Sequence, residues 1–247
     1  MPSNTATALI TGGTGGIGRA TARKLAELGI HVLAVGRDAE GGKKTIGEIR
    51  AAGGEADLIL ADLQDAASAH TVVEKAIELG NGHVDILINN VGIYPFGPTH
   101  EMTEEQFDRV FSINVKVPYF LVAELAPLMA ERGKGAIVNV STMVADYGAP
   151  GMSLSGSSKA AMNLLTKTWA AEYGPRGVRV NAVSPGPTLT EGTKAMGEGL
   201  AQLAAQAPAG RPATADEIAE AIVFLATERA SFIYGAKLAV DGGRTAI

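Results

Sequence analysis

The stretch SLSGSSKAAM, residues 153–162, sets a serine hydroxyl, Ser155, four positions before a lysine amine, Lys159. On a helix that spacing is one turn, so both groups can serve one polar site. A second stretch, ALITGGTGGIGRATARKLAELG at 8–29, reads as strand, glycine loop and helix. Glycines let the backbone turn sharply and approach a pyrophosphate, whose charge the free N–H groups of the helix start then meet. The loop satisfies G-x-G-x-x-G through Gly13, Gly15 and Gly18, and T-G-x-x-x-G-x-G through Thr11, Gly12, Gly16 and Gly18, with Ile17 inside it. The strand before it and the helix after it are the context that a dinucleotide site requires.

The second candidate strand ends AVGRD. An acid about 20 residues beyond the glycine loop holds the ribose hydroxyl of NAD, whereas an arginine there accommodates the 2′-phosphate of NADP. Gly36 and Arg37 point to NADP; Asp38 argues for NAD, unless it caps the following helix.

These groups need elements to hold them. Short apolar runs at 8–11, 31–35, 57–61, 84–88, 136–140, 178–183 and 237–240 fit strands buried on both faces. Helical spacing occupies 17–28, 66–79, 104–132, 157–173 and 216–227. The alternation predicts a single-domain α/β Rossmann fold over 1–247, a doubly wound, mainly parallel sheet of about seven strands with helices on both faces. Pro118 and Pro127 predict a break or kink in 104–132, and Thr214 with Glu217 forms a capping box. The Gly, Ala and Pro-rich stretch 190–213 reads as a substrate lid or a plain surface excursion.

Composition narrows the function. A net charge of −5 with no block of like charge offers no footprint for nucleic acid or an anionic membrane. Without cysteine there is no disulfide, thiolate metal site or thiol nucleophile, and His31, His70, His83 and His100 never fall at metal-ligand spacing. The N-terminus MPSNTATALI has no leader pattern and no apolar run nears the roughly 20 residues of a bilayer span, so a cytoplasmic address is expected.

Taken in order, TGGTGGIG, ADL at 61–63, NNVG at 89–92, SIN at 112–114, SPGPTLT at 184–190 and VDGG at 240–243 resemble the short-chain dehydrogenase/reductase family across essentially the whole chain. The resemblance implies hydride transfer between a nicotinamide and a carbonyl or alcohol. It implies that Asp62 and Leu63 lie at the adenine, that Asn89 and Gly92 serve the cofactor loop, and that Asn114 holds a water in a proton relay. Pro185, Gly186, Thr188 and Thr190 would line the nicotinamide end, and Lys159 would bind the nicotinamide ribose. It also implies a homotetramer with 104–132 and 157–173 pairing between subunits.

Two positions depart from the family. Its acid is a tyrosine four before the lysine, where Ser155 stands, and its serine thirteen before that tyrosine is here Thr142. Thr142 keeps a hydroxyl able to donate to a substrate oxygen; Ser141 is the alternative, although neighbours on a strand face opposite ways. Ser155 is a far weaker acid than a phenol and lacks its reach. A water relay from Lys159, or Tyr147 or Tyr94, could substitute. Ser155 fits a deliberate substitution, a non-catalytic descendant acting as cofactor-binding scaffold or sensor, or an enzyme with a relocated donor. Tyr94, Pro95, Phe96, Met143, Val144, Met152 and Met196 are candidate pocket walls, mostly apolar, suiting an uncharged substrate or a long apolar arm.

Overall fold

The computed structural model describes residues 5–247, so the first four residues of the N-terminal leader reading lie outside the described residues. Seven parallel strands form one sheet in the order β3-β2-β1-β4-β5-β6-β9. They are β1 (Thr7–Thr11), β2 (His31–Gly36), β3 (Ala56–Leu60), β4 (Ile86–Asn89), β5 (Gly135–Val140), β6 (Val178–Pro185) and β9 (Lys237–Val240). Helices α1 (Gly16–Glu27), α2 (Ala39–Ala51), α3 (Ala66–Leu79), α4 (Glu104–Phe111), α5 (Val117–Glu131), α6 (Ser153–Tyr173) and α8 (Ala215–Ala226) connect them. Every expected strand is present.

The strand sequences explain the two layers. Side chains alternate across a strand, so consecutive apolar residues feed opposite faces. Leu9, Leu33, Leu87 and Ile137 pack with Leu121, Leu125 and Trp169 of α5 and α6. Their neighbours Ile10, Val32, Ile88 and Val138 pack with Leu25, Ile218 and Ile222 of α1 and α8. The expectation of burial on both faces fails for β3 and β9, whose ends of the sheet expose Leu60 and Leu238. An edge strand has a neighbour on one side only, and solvent reaches it there.

The expected irregularity in 104–132 lies just before Pro118, and the chain stays helical through it. It is a π-helical segment, Ser112–Lys116, between α4 and α5. Pro118 follows the π segment directly, and Pro127 lies within a continuous α5. The π segment carries the buried Asn114. By length and composition Glu104–Glu131 is apolar enough to cross a membrane, contrary to the sequence expectation. Leu121, Val122, Leu125 and Met129 of that stretch belong to the core.

Asp38 caps α2, accepting from the Glu40 N–H at 3.1 Å, and Thr214 and Glu217 form the expected capping box of α8. Helix α6 begins at Ser153 rather than at 157, which puts Ser155 in its first turn. In the 190–213 segment lie a 3₁₀ turn at Lys194–Met196 and helix α7 (Glu198–Ala204). Its base is closed by two short parallel strands, β7 (Thr188–Leu189) and β8 (Ala213–Thr214).

Candidate active site

The strand order reverses between β1 and β4, and the crevice beyond their carboxyl ends is where an open parallel sheet binds ligands. The chain leaves β1 through Gly12 at φ +64° and enters α1 through Gly16 at φ +49°, both left-handed. A Cβ on Gly18 would lie 2.0 Å from the Gly12 carbonyl oxygen, so only glycine lets the helix close onto its own loop.

Side chains at the carboxyl ends of β1 and β4 fasten this loop. The Asn90 amide donates to the carbonyls of Thr11 at 2.9 Å and Gly12 at 3.2 Å. The Thr11 hydroxyl accepts from the N–H groups of Asn90 and Val91 and donates to the Ile88 carbonyl, so it ties β1 to β4. Asn89, expected to support the loop, instead turns inward and donates to Asn139 at 2.9 Å, which donates on to Thr166. Successive residues leaving β4 point to opposite sides, and Asn90 is the one facing the loop.

A cavity of about 330 Å³ opens over the loop. It gathers Gly12, Arg37, Asp62, Leu63 and Gly92, all expected there, and adds Thr14, Asp38, Ile93, Arg109 and Ile113. Arg109 carried no motif; the signal was its place one helical turn before Ile113 in the segment that also holds Asn114. Because Asp38 is engaged at the start of α2, its carboxylate is already partnered, whereas no ion pair holds Arg37 among the described residues. A larger cavity of about 400 Å³ lies between the 190–213 segment and the end of β9, against Gly186, Ala204 and Asp241, with no acid, base or hydroxyl of the Ser155–Lys159 region on it.

The second half of the site forms where β5, α6 and the π segment meet. The Lys159 ammonium is buried and donates to the Val140 carbonyl at the end of β5 at 2.8 Å. Among the described residues no carboxylate offsets that burial, which lowers its pKa to about 8. A Cβ on Gly92 would stand 3.2 Å from Lys159 Nζ and 3.3 Å from Asn114 Oδ1, so glycine there lets the loop pass between them. The Asn114 side chain accepts from the Ile93 N–H and donates to the Ile93 carbonyl, both at 2.9 Å, and to the Ser158 hydroxyl at 3.0 Å. Ser158 in turn donates to the Ser155 carbonyl.

Ser155 itself is 3% exposed, one turn from Lys159. Thr142 is half-buried on extended backbone directly after β5. Ser141 is buried, its hydroxyl without a partner, so the two neighbouring hydroxyls sit in different environments. The alternative phenols diverge. Tyr147 lies under the Arg244 guanidinium, 4.7 Å from the ring centre, whereas Tyr94 is 50% exposed and points its hydroxyl at Gly192 of the 190–213 segment.

Pro185 ends β6, and a Cβ on Gly186 would meet the Asp241 backbone at 2.7 Å. Thr188 donates to the Gly186 carbonyl, and Thr190 is fixed by its N–H to the Thr193 hydroxyl at 3.0 Å. Thr190 stands directly over Gly16. Ile17, half-buried, packs into the sheet face shared with α8.

Glycines required at 12, 16 and 18, an arginine without an ion pair among the described residues and a buried lysine amine beside the same crevice fit a dinucleotide. Residues 12–245 match the family described as Enoyl-(Acyl carrier protein) reductase. The cis-4-hydroxycyclohexanecarboxylate dehydrogenase of Sinomonas cyclohexanicum is 40% identical over 245 residues, 97% of this chain and 96% of that one. A solved structure described as a short chain dehydrogenase/reductase family protein is 45% identical, with TM-score 0.91 and 100% of both chains covered. A blue fluorescent protein from a metagenomic library, solved in complex with NADPH, is 34% identical, with TM-score 0.91 and 99% of both chains covered.

Proposed function

Because the chain belongs to the short-chain dehydrogenase/reductase family, we propose that it is an NADP(H)-dependent oxidoreductase acting on a small carbonyl or alcohol, slowed by the serine at 155. The observation that carries the reading is the meeting of Gly92, Asn114 and the Lys159 amine beside the glycine-loop cavity. NADP(H), when bound, supplies or accepts the hydride.

The chain's own residues have the remaining tasks. Gly12, Gly16, Ile17 and Gly18 would hold the pyrophosphate, with Thr11 bracing the loop. Arg37 would meet the 2′-phosphate, and Asp62 and Leu63 would flank the adenine. Pro185, Gly186, Thr188 and Thr190 would border the nicotinamide end, and Thr142 would donate to the substrate oxygen. Lys159 would hold the nicotinamide ribose and keep positive charge near the reacting oxygen. Asn114 would position the 92–93 loop and, with Lys159, a relay water. Ser155 stands where the proton donor belongs, and its hydroxyl is a poor acid. Residues 190–213 would close over the substrate, all within one catalytic unit spanning 1–247.

The neighbour solved with NADPH supports the cofactor assignment, and Arg37 supports it independently. Tyr119 and Phe120 of α5 and Leu164 of α6 are exposed, in keeping with a homotetramer paired through these helices, and a cytoplasmic address completes the reading. Titration with NADPH and NADH, followed by nicotinamide fluorescence, tests it: NADPH should bind more tightly, and no binding of either would refute it. A second reading, a cofactor-loaded scaffold or sensor without turnover, is favoured by Ser155 alone. It requires NADPH binding with no hydride transfer to any member of a carbonyl panel.

A further inference from the structure

The first turn of α1 has no acidic residue and no side-chain cap of its own. Its anion comes from the lid, 175 residues away: the Glu191 carboxylate accepts the Gly16 N–H at 3.1 Å through Oε2. Through Oε1 the same carboxylate pairs with the Arg19 guanidinium, one turn into α1. Thr190, whose N–H and hydroxyl are fixed by Thr193, lies over Gly16 and aims Glu191 at the helix. Contacts with its own N–H, with Arg19 and with the Gly16 N–H hold the Glu191 carboxyl below the usual range, against the opposing effect of partial burial.

The Gly16 N–H is one of the few donors with which a helix start can meet an incoming phosphate. It cannot serve two anions, and a carboxylate beside a pyrophosphate would also repel it. We propose that Glu191 competes with the dinucleotide pyrophosphate for the start of α1, so that cofactor entry and release of the lid from Gly16 and Arg19 are one event. Glu191 thereby tunes cofactor affinity and couples it to lid position. The coupling is reciprocal: the lid contact weakens cofactor binding by the factor by which bound cofactor weakens the lid contact. This inference rests on the dinucleotide reading of the loop.

Glu191→Gln keeps the shape and removes the charge. NADPH binding to the full chain and to this variant is measured by fluorescence titration, with tryptic cleavage after the exposed Lys194 followed in the absence of nucleotide. The variant is expected to bind NADPH about two- to fivefold more tightly, equivalent to roughly 0.4–1 kcal/mol, and to be cleaved faster. If the unaltered chain binds NADPH and the variant binds it equally or more weakly, Glu191 is no competitor and the inference falls. Cleavage at an unchanged rate would equally overturn it, since the carboxylate would then not be holding the lid. Absence of NADPH binding in both proteins would overturn the cofactor reading itself, which is a different result.

Discussion

Replacing Ser155 by tyrosine gives the sharpest test of the site. The position is buried in the first turn of α6, and Lys159 one turn later donates to the Val140 carbonyl with a pKa lowered to about 8, so its amine is mostly protonated at pH 7. A phenolate about 6 Å from that ammonium, at an effective dielectric near 20, gains about 3 kcal/mol of Coulomb stabilisation. That gain makes the phenol a better acid, as serine is not. General acid catalysis typically contributes 10²–10⁴-fold, about 3–5 kcal/mol of barrier, and the electrostatic figure meets the lower end. Ser155→Tyr is therefore expected to raise kcat/KM for NADPH-dependent carbonyl reduction by about 10²-fold or more, with the NADPH Kd changed less than about threefold. The assay is NADPH consumption over a panel of ketones and aldehydes, both proteins in parallel, with cofactor binding measured separately. Equal rates in the two proteins would refute the reasoning and move the proton donor to Tyr94 or to water relayed from Lys159.

Three further outcomes follow from the same geometry. Burial lowers Lys159, so the unfolded chain binds its proton more avidly between about pH 8 and the ordinary lysine range, and stability rises as pH climbs through that window. Lys159→Met should therefore abolish turnover yet raise the free energy of urea unfolding at pH 7, by up to about 3 kcal/mol less about 1 for the lost bond to Val140, with the gap closing above pH 8; a gap independent of pH would contradict this. Arg37→Ala should weaken NADPH binding by about 10- to 100-fold, the worth of a charge-assisted hydrogen bond, and leave NADH nearly unchanged; parallel titrations decide it. Asn90→Ala removes both amide bonds to the glycine loop and should cost about 1–3 kcal/mol in denaturant unfolding together with weaker NADPH binding, whereas Asn89→Ala, facing Asn139, should affect stability and spare the cofactor.

The sequence by itself determined the layers and the motif order. Apolar runs with neighbours of equal hydrophobicity, such as Leu9–Ile10 and Leu87–Ile88, fit strands with helices on both sides, and all seven runs are strands of one parallel sheet, of which β3 and β9 at its edges are partly exposed. The glycine loop was legible because no other residue type fits: the space at Gly18 is set by the Gly12 carbonyl. The offset from Ser155 to Lys159 was equally plain, since one helical turn is a property of local geometry.

Only the tertiary structure decided matters that depend on distant segments. Whether Asn89 or Asn90 braces the loop turns on which way β4 releases its last residues. The irregularity before α5 is a π segment that seats Asn114 against Ile93, a contact that the prolines alone do not foretell. Arg109 enters the cavity through the packing of α4, and Glu191 reaches Gly16 across 175 residues of chain. The low pKa of Lys159 was also invisible, because desolvation is the sum of everything packed around the amine and has no local signature in the sequence.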